Sequence, residues 1–485
     1  MKPRIAIIGA GFGGIAAAIA LRARGHDDIT ILEKGNDVGG VWRENTYPGA
    51  ACDVPSPLYS YSFAPNPHWP HRFSRQPAIL DYIRQVADHY DLRRHLRLGS
   101  EVTSATYDQA GGTWHIELDG GESLTADILI PAVGQLSRPA FANIPGRETF
   151  GGVSFHSAQW RHDVDLTGRR VAVIGTGASV VQFVPEVARQ AGALTVFQRS
   201  APYLLPRPDR RFSARHAAVF ERLPVTELAE RATWYAVIES LTVAWLYSAP
   251  LARTIRAISR RHMRRQAQAK PGLFEQVWPD YPIGCKRALF SNDYLPALTQ
   301  PHVELVTDAI TAITPAGVVT DDGREHRADV LIWGTGFTAT EFLAPIDIRR
   351  SDGHRLADDW RGGAHAYYGM AVPGFPNLQI MYGPNTNTGG GSVIYFLEAQ
   401  AQHVADYVDH VARTGVPHAV RPEVEAAVDD EVQTRLAGSV WTQCSSWYRQ
   451  ADGRIPTNWP GLSREYRRRA AFDPADYEPV PLTVA

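Results

Sequence analysis

The chain has 485 residues, of which 44% are hydrophobic and 21% are charged. Domains usually hold about 100–200 residues, so this length predicts two or three of them, and the composition excludes a disordered chain or a fibre. Lys and Arg number 49 against 51 Asp and Glu, a formal net charge of −2. Because no excess of positive charge is present to bind phosphates, a nucleic-acid-binding protein is not expected.

A glycine-rich turn follows the first apolar run. The run RIAII leads into GAGFGG at residues 9–14 and then into an alanine-rich helical stretch. In such a strand–turn–helix, the first glycine permits a tight turn, the second lets the backbone approach a pyrophosphate, and the third lets the helix pack closely on the strand. Gly9, Gly11 and Gly14 therefore predict a dinucleotide site at the N-terminus of the helix.

A second turn of the same kind follows the run RRVAVI and reads GTGASV at residues 175–180. Gly175 and Gly177 match the first two glycines of the pattern, whereas Val180 stands where the third belongs. We expect Val180 to loosen the packing of helix on strand without abolishing phosphate binding.

An acidic residue and an arginine stand at the same distance behind the two turns. Glu33 lies 24 residues after Gly9, and Arg199 lies 24 residues after Gly175. A carboxylate at the end of the second strand accepts hydrogen bonds from ribose hydroxyls, whereas an arginine there suits the 2′-phosphate of NADP. The two sites together predict a flavoprotein that binds two nucleotides, although either turn alone is also compatible with an ordinary βα loop.

The apolar runs and turns predict an α/β fold with two Rossmann-like dinucleotide-binding domains. We expect a first FAD-binding part at residues 1–145 and an NADP-binding domain at residues 146–330, which carries a helical insertion at about residues 207–280. Residues 331–485 return to the FAD-binding domain and add a C-terminal region. Two similar runs, DILIPAVGQ and DVLIWGTGF, are interpreted as the two chain crossings, so the NADP-binding domain is inserted in the FAD-binding domain.

The three cysteines, Cys52, Cys285 and Cys444, lie far apart and form no CxxC pair. Their odd number excludes a disulfide-based scaffold and their spacing fits no metal site, so we expect a reducing, cytoplasmic location. The N-terminal apolar stretch is too short and too rich in glycine for a signal peptide.

One segment has the length of a membrane span. Ala232–Ala252 contains 21 residues with Glu239 as its only charge, and about 20 apolar residues suffice to cross a bilayer. Its polar residues and Pro250 favour a buried or amphipathic helix instead. No stable span is expected, and peripheral contact with a membrane is the alternative.

Three further motifs carry the chemistry. YPGAACD ends in Asp53, FGGVSFHSAQW at residues 150–160 satisfies the pattern FxGxxxHxxxW, and GCKR ends in Arg287. On these motifs and the two glycine turns, the chain resembles the type I Baeyer–Villiger monooxygenases, which belong to the class B flavin-dependent monooxygenases. The resemblance covers nearly the whole chain and is weakest in the helical insertion and the C-terminal region. Arg161, directly after the pattern, departs from the usual Pro or Asp.

The resemblance implies an enzyme that uses FAD and NADPH to convert ketones to esters or lactones through a C4a-peroxyflavin. It makes Arg287 and Asp53 the catalytic residues, with Arg287 over the flavin and Asp53 as the carboxylate beside it. A permanently charged guanidinium stabilises both the peroxide and the developing oxyanion. His156 is expected to position the linker between the domains rather than to transfer protons.

The same resemblance assigns cofactor contacts to each half of the chain. The expected FAD contacts are Gly9, Gly11, Gly14, Glu33, Trp42, Asp53, Tyr59 and Val102. The expected NADP contacts are Gly175, Thr176, Gly177, Ser179, Arg199, Ser200, Lys286 and Arg287. The fingerprint residues are Phe150, Gly152, His156 and Trp160, and Trp447 resembles a tryptophan of a mobile loop that closes on NADP and substrate.

Two alternatives stay open. The same cofactors serve enzymes that oxidise sulfur or nitrogen atoms, although relatives of that type usually carry Tyr or Phe where Trp160 stands. The second alternative is a flavoprotein that binds NADPH without oxygenating a substrate. In the leading interpretation the partners are molecular oxygen and a small organic ketone, and members of the family often oxidise sulfides as well. No protein partner and no metal are implied.

Overall fold

The computed structural model of the protein describes residues 2–482. Its strands, in chain order, are β1 (Ile5–Ile8), β2 (Ile29–Glu33), β3 (Leu96–Leu98), β4 (Val102–Asp108), β5 (Thr113–Leu118), β6 (Ser123–Ala126), β7 (Ile128–Pro131), β8 (Val153–His156), β9 (Arg170–Ile174), β10 (Ala193–Phe197), β11 (Leu204–Leu205), β12 (Leu289–Phe290), β13 (Val303–Val306), β14 (Ile310–Thr314), β15 (Gly317–Thr320), β16 (Glu325–Arg327), β17 (Val330–Trp333), β18 (Asp347–Arg350), β19 (His418–Val420) and β20 (Tyr477–Pro479). Its α-helices are α1 (Phe12–Ala23), α2 (Val41–Glu44), α3 (Gln76–His89), α4 (Ala178–Ala188), α5 (Ala214–Arg222), α6 (Pro224–Leu246), α7 (Ala249–Ala267), α8 (Leu273–Val277), α9 (Tyr294–Leu298), α10 (Leu356–Asp359), α11 (Val393–Thr414), α12 (Pro422–Ala437) and α13 (Ser463–Arg469).

The first parallel sheet has the strand order β3-β2-β1-β7. All residues of β1 are buried because both faces of the sheet are covered, which explains the unbroken apolar run in the sequence. Ile5 and Ile7 pack in one core with α1 and α11, whereas Ala6 and Ile8 pack in another with the mixed sheet β18-β4-β5-β6. The first glycine turn therefore opens at the carboxyl end of a rigid central strand, where ligands bind in sheets of this type.

The second parallel sheet repeats this plan, with the strand order β13-β10-β9-β17-β8. Val171 and Val173 of β9 pack in one core with α4, α7 and α9. Ala172 and Ile174 pack on the opposite face against the small antiparallel sheet β14-β15-β16. The second glycine turn, between β9 and α4, thus has the same structural support as the first.

The chain passes from the first sheet to the second after β7 and returns after β17. The two crossing segments lie side by side, because Ala140 N–H donates to Gly336 O (2.9 Å) and Thr338 N–H donates to Arg138 O (3.0 Å). Strand β17 continues the second sheet to Trp333, so this sheet extends past residue 330, where the sequence places the boundary. After the second crossing, β18 pairs with β4 beside the first sheet.

Helices α5 to α8 occupy most of the stretch in which the sequence predicts a helical insertion. Helix α6 packs against α5 and α7, and α7 packs against β11 and α9. The apolar segment at residues 232–252 is divided between α6 and α7, with Pro250 in the first turn of α7, where its missing N–H needs no partner. Within residues 2–482, no helix combines the length and the apolar character needed to cross a membrane.

Candidate active site

The first glycine turn places its backbone where side chains would not fit. Gly9 has a φ of +102°, and a Cβ atom there would lie 2.7 Å from the carbonyl oxygen of Ala132. Gly11 directly precedes α1, and a Cβ atom at Gly14 would lie 1.9 Å from Gly9 O. The turn therefore approaches the start of α1 closely, where unpaired N–H groups can bind a pyrophosphate.

Glu33 is buried at the end of β2, next to this turn. Its Oε2 accepts a hydrogen bond from Ala10 N–H (2.9 Å), and its Oε1 accepts from Gly35 N–H (2.8 Å) and from Arg43 Nη1 (2.8 Å). These bonds fix the carboxylate and balance its charge. Because each carboxylate oxygen accepts two hydrogen bonds, Oε2 retains the capacity to bind a ribose hydroxyl.

The second glycine turn uses a glycine on a neighbouring segment to accommodate Val180. Gly175 has a φ of +117°, and Val180 is fully buried in the core beneath the turn. A Cβ atom at Gly334, directly after β17, would lie 2.1 Å from Cγ2 of Val180. The side chain of Val180 therefore fills the space that Gly334 leaves open, and the expectation that it loosens the packing of helix on strand stays a prediction.

Polar and basic side chains gather beside the second turn. Thr176 Oγ1 donates to Ser200 O (2.7 Å), and Lys286 Nζ donates to Ser200 Oγ (2.9 Å). Burial lowers the pKa of Lys286, and the positive charge of Arg199 lowers it further, whereas Asp280 acts in the opposite direction. Because the two neighbouring cations repel each other, an anion bound between them would stabilise both. The cluster has the chemistry of a phosphate site.

The segment YPGAACD joins the two sheets through one glutamine of α4. Tyr47 OH donates to Gln182 Oε1 (2.9 Å), Ala51 N–H donates to the same oxygen (3.2 Å), and Gln182 Nε2 donates to Ala51 O (2.9 Å). Gly49 permits this approach, because a Cβ atom there would lie 2.5 Å from Gln182 O. Burial raises the pKa of Tyr47 to about 12, so the phenol stays a neutral donor. The end of this segment is thereby held at the junction of the two glycine turns.

Asp53 lies at that end and forms a two-pronged ion pair with Arg287. Arg287 Nε donates to Asp53 Oδ2 (2.7 Å), and Nη2 donates to Oδ1 (2.8 Å). The attraction of Asp53 raises the pKa of Arg287, against the opposing effect of burial. The guanidinium is therefore permanently charged and fixed in orientation. Its Nη1 has no hydrogen-bond partner in the described part of the chain and keeps some access to solvent, so it can contact a ligand.

Aromatic side chains surround this ion pair. Burial raises the pKa of both Tyr382 and Tyr448, and the positive charge of Arg287 opposes the rise in each case, which places both phenols near the guanidinium. Trp42 Nε1 donates to Tyr59 OH (3.1 Å), and the two rings meet edge to face. Since Tyr59 also contacts Phe12 at the start of α1, these rings connect the first glycine turn with the ion pair.

The fingerprint residues lie where the chain crosses between the sheets. A Cβ atom at Gly152 would lie 2.4 Å from Asp329 O and 2.8 Å from the ring of Phe150, so glycine is required there. His156 ends β8, is fully buried, and meets Phe141 and Phe337 of the two crossing segments edge to face. Burial lowers its pKa to about 4, partly offset by the backbone of Gly336.

Trp160, the last fingerprint residue, packs beneath the second turn. Its ring contacts Phe155 of β8 and Phe183 of α4. The fingerprint therefore holds the crossing against the second sheet, and none of its side chains contacts Asp53 or Arg287.

The structure contains one disulfide that the sequence analysis did not anticipate. Cys285 and Cys444 form a disulfide across 159 residues of sequence, while Cys52 is a buried free thiol. Pairing depends on distance in space, and the fold brings the loop after α12 onto the segment that carries Arg287. Chain spacing alone could not reveal this contact.

The same loop contains Trp447, whose side chain is exposed. Its neighbour Tyr448 is buried instead and is the ring close to Arg287. A closing role for Trp447 thus stays a prediction, and Tyr448 is a site residue that the sequence reasoning missed.

Two remaining predicted contacts lie at the margins of the site. Val102 is buried at the start of β4, behind the first sheet. Ser179 lies in the first turn of α4, where its hydroxyl is near enough to Tyr47 to oppose the rise in the pKa of that phenol. Gln182 and Gly334 were missed, because their roles depend on contacts between distant segments.

Comparison with known proteins agrees with this arrangement. The family described as Pyridine nucleotide-disulphide oxidoreductase matches residues 6–223. A Baeyer–Villiger monooxygenase of Streptomyces coelicolor is 42% identical over 99% of this chain and 94% of its own length. The OTEMO complex with FAD and NADP superposes with a TM-score of 0.88 at 28% identity, covering 98% of this chain and 99% of that one. A closed crystal structure of cyclohexanone monooxygenase gives a TM-score of 0.87 at 30% identity, covering 98% and 99%. With two nucleotide turns, an Asp–Arg pair between them and full-length similarity of this degree, the chain belongs to the Baeyer–Villiger monooxygenases.

Proposed function

We propose that this protein inserts one atom of molecular oxygen beside the carbonyl group of a small organic ketone and produces an ester or a lactone. As a flavin-dependent monooxygenase it uses FAD and NADPH. The balanced reaction consumes ketone, O₂, NADPH and a proton, and yields the ester, water and NADP⁺. The observation that carries the proposal is the ion pair of Arg287 and Asp53 at the junction of the two nucleotide turns.

The residues around both turns fit the two cofactors. Gly9 and Gly14 form a cradle that any Cβ atom would fill, and Glu33 offers a fixed acceptor for a ribose. At the second turn, Lys286 and Ser200 form a hydrogen bond beside Arg199, which suits the 2′-phosphate that distinguishes NADP from NAD. We therefore assign FAD to the first turn and NADP to the second.

Bound FAD, once reduced by NADPH, supplies the activated oxygen for the reaction. Arg287 would contribute a fixed positive charge, and its Nη1, which has no hydrogen-bond partner within residues 2–482, would be free to donate to an oxygen atom that becomes negatively charged. A charge fixed in advance costs no reorganisation during the reaction. Asp53 is a positioning residue, because its two hydrogen bonds hold the guanidinium plane.

The surrounding rings exclude water from the reacting atoms. Tyr59, Tyr382 and Tyr448 are all buried enough for the pKa of each phenol to rise, so they remain neutral beside the ion pair. Low dielectric strengthens the interaction between Arg287 and a developing oxyanion. His156 is neutral and lies apart from this pair, so we propose that it positions the crossing segments and takes no part in proton transfer.

The test is a product analysis under labelled oxygen. The FAD-loaded protein is incubated with NADPH and ¹⁸O₂, and with cyclohexanone or thioanisole as the probe. We expect one labelled atom in the lactone from cyclohexanone, with one NADPH consumed per product. Exclusive formation of labelled sulfoxide would favour a heteroatom oxygenase. Release of all the oxygen as hydrogen peroxide, with no oxygenated product, would indicate a flavoprotein that does not oxygenate.

A further inference from the structure

Helix α6 directs its charged side chains towards the protein and exposes apolar side chains to solvent. Its charged side chains are Glu227, Glu230, Arg231 and Glu239, and the contacts of these residues lie within the protein. Arg231 Nη1 donates to the carbonyl oxygens of Pro57 and Ser60 at 2.8 Å each, and Glu239 accepts hydrogen bonds from Ser463 N–H (2.6 Å) and Oγ (2.8 Å).

Glu227 is itself buried, and Glu230 accepts hydrogen bonds from Arg72 Nε (2.9 Å) and Trp234 Nε1 (3.0 Å). Because these charged side chains form their hydrogen bonds within the protein, they do not cover the exposed side of α6.

The exposed residues of α6 lie between positions 224 and 237, and all of them except Thr233 are apolar. Val225 and Leu228 are 66% and 62% exposed, Val237 is 46% exposed, and Tyr247 just beyond the helix is 55% exposed. None of the exposed residues of α6 carries a charge. A surface helix normally shows its polar side to water, and a continuous exposed apolar face marks an interaction site.

The neighbouring helix α7 is strongly basic. Its exposed residues include Arg253, Arg256, Arg260, Arg261, Arg264 and Arg265, and it contains no acidic residue. None of the six forms a salt bridge within residues 2–482. Residues 211–270 hold eleven basic and four acidic side chains, a net charge of +7 in a chain whose total is −2. Helices α6 and α7 follow one another in the chain and pack against each other, so the exposed apolar residues and the exposed arginines lie on adjacent helices.

We propose that this surface docks on an anionic lipid bilayer. The apolar side chains of α6 would enter the boundary between headgroups and acyl chains, and the arginines of α7 would bind lipid phosphates, as in helices that lie in the membrane interface. A second copy of the chain suits the surface less well. A twofold contact buries the same patch of both copies, and it would bring the arginines of α7, which form no salt bridge within residues 2–482, towards those of the partner.

The test measures binding of the FAD-loaded full-length protein to vesicles by co-sedimentation. Vesicles of phosphatidylcholine alone are compared with vesicles containing phosphatidylglycerol. We expect binding to the anionic vesicles only, weakened by added salt. Val225→Asp/Leu228→Asp should lower the affinity at least tenfold. Arg253→Gln/Arg261→Gln/Arg265→Gln should lower it roughly 100-fold, at about fivefold for each basic residue near the surface.

Matched controls change the same chemistry elsewhere on the molecule. Val416→Asp adds a charge at another exposed valine. Arg324→Gln/Arg355→Gln/Arg361→Gln removes three exposed arginines and the same total charge. Both controls should bind as the parent does, and FAD content and NADPH oxidation should be unchanged in every variant.

Three results would overturn the proposal: failure of the parent to bind anionic vesicles, equal loss in the control variants, or self-association of the parent in sedimentation velocity that Val225→Asp/Leu228→Asp abolishes without any effect on vesicles. The last result would assign the surface to a second copy.

Discussion

The guanidinium of Arg287 meets the carboxylate of Asp53 through two hydrogen bonds, of 2.7 and 2.8 Å, although the residues stand 234 positions apart. The pair joins the segment tied to Gln182 of α4 with the segment that follows Lys286. The guanidinium that we assign to the chemistry is therefore held between two segments that both form hydrogen bonds with the second nucleotide-binding unit.

Substitution of Arg287 should separate the oxidation of NADPH from the formation of ester. Arg287→Ala should retain NADPH oxidation and lower ester formation roughly 10²–10³-fold, because the fixed charge acts on the oxygen transfer. Asp53→Asn should have a smaller effect, since the charge remains but its orientation loosens. NADPH consumption, ester and hydrogen peroxide are measured in parallel, with Arg361→Ala as an exposed control. Ester formation by Arg287→Ala at the parental rate would contradict the assigned role.

Lys286 and Arg199 should decide between the two nicotinamide cofactors. Loss of a charged hydrogen bond to a phosphate costs about 1.5–3 kcal/mol, so Lys286→Met and Arg199→Ala should each raise KM for NADPH roughly 10- to 100-fold. KM for NADH, which lacks the 2′-phosphate, should change little. A parallel rise in both values would show that the residues support the fold and not the phosphate.

The lowered pKa of Lys286 adds a pH signature to this test. A lysine with a lowered pKa loses its charge at a lower pH than an ordinary lysine, so KM for NADPH should rise early on the alkaline side. Because Arg199 contributes to the lowering, the rise should move to higher pH in Arg199→Ala. If KM for NADPH rises at the same pH in Arg199→Ala as in the parent, the two cations are not close to each other.

Substitutions at Val180 and Gly334 should have strongly non-additive effects on the free energy of unfolding. A methyl group at residue 334 would overlap Cγ2 of Val180, so Gly334→Ala should lower the free energy of unfolding by about 1–3 kcal/mol, the usual cost of overpacking. Val180→Ala/Gly334→Ala should recover part of that loss. Gly362→Ala is the matched control, because open space surrounds that position and its φ is ordinary. Additive effects of the two substitutions in denaturant melts would exclude the steric account.

The separation in sequence between two contacting residues decides whether their contact could be predicted from the sequence. The glycine turns, Glu33 and Arg199 lie within short strand–turn–helix units, so their spacing carries the information. Asp53 and Arg287 come from separate motifs, and only the family resemblance brought them together. The space that Gly334 leaves for Val180 depends on two strands meeting in the second sheet, and no local pattern records such a meeting. The predicted α/β class followed from local patterns, whereas the disulfide and Tyr448 required the folded chain.

The disulfide should be visible in a thiol count. Under denaturing conditions without reductant, one of the three cysteines should react, and after reduction all three should react. Cys444→Ser should lower stability by about 2–5 kcal/mol, as loss of a disulfide usually does. It should also increase proteolysis of the loop that carries Tyr448, whereas Cys52→Ala should leave that loop unaffected. Three reactive thiols without reductant would refute the bond.

His156 should make the fold sensitive to acid. Its pKa is lowered to about 4 by burial, whereas a histidine in an unfolded chain titrates near 6.5. A group with a lowered pKa in the folded state contributes stability that is complete above pH 6.5 and disappears as the pH falls towards 4. The shift corresponds to about 3 kcal/mol, and His403, with a pKa also lowered to about 4, adds in the same direction. As the pH is lowered from 8 to 4, the free energy of unfolding should therefore fall less steeply in His156→Gln than in the parent, and the exposed control His115→Gln should follow the parent.

The pH dependence of ester formation between pH 6 and 8 should be the same in His156→Gln and the parent, because a neutral, buried imidazole away from Arg287 supplies no proton to the reaction.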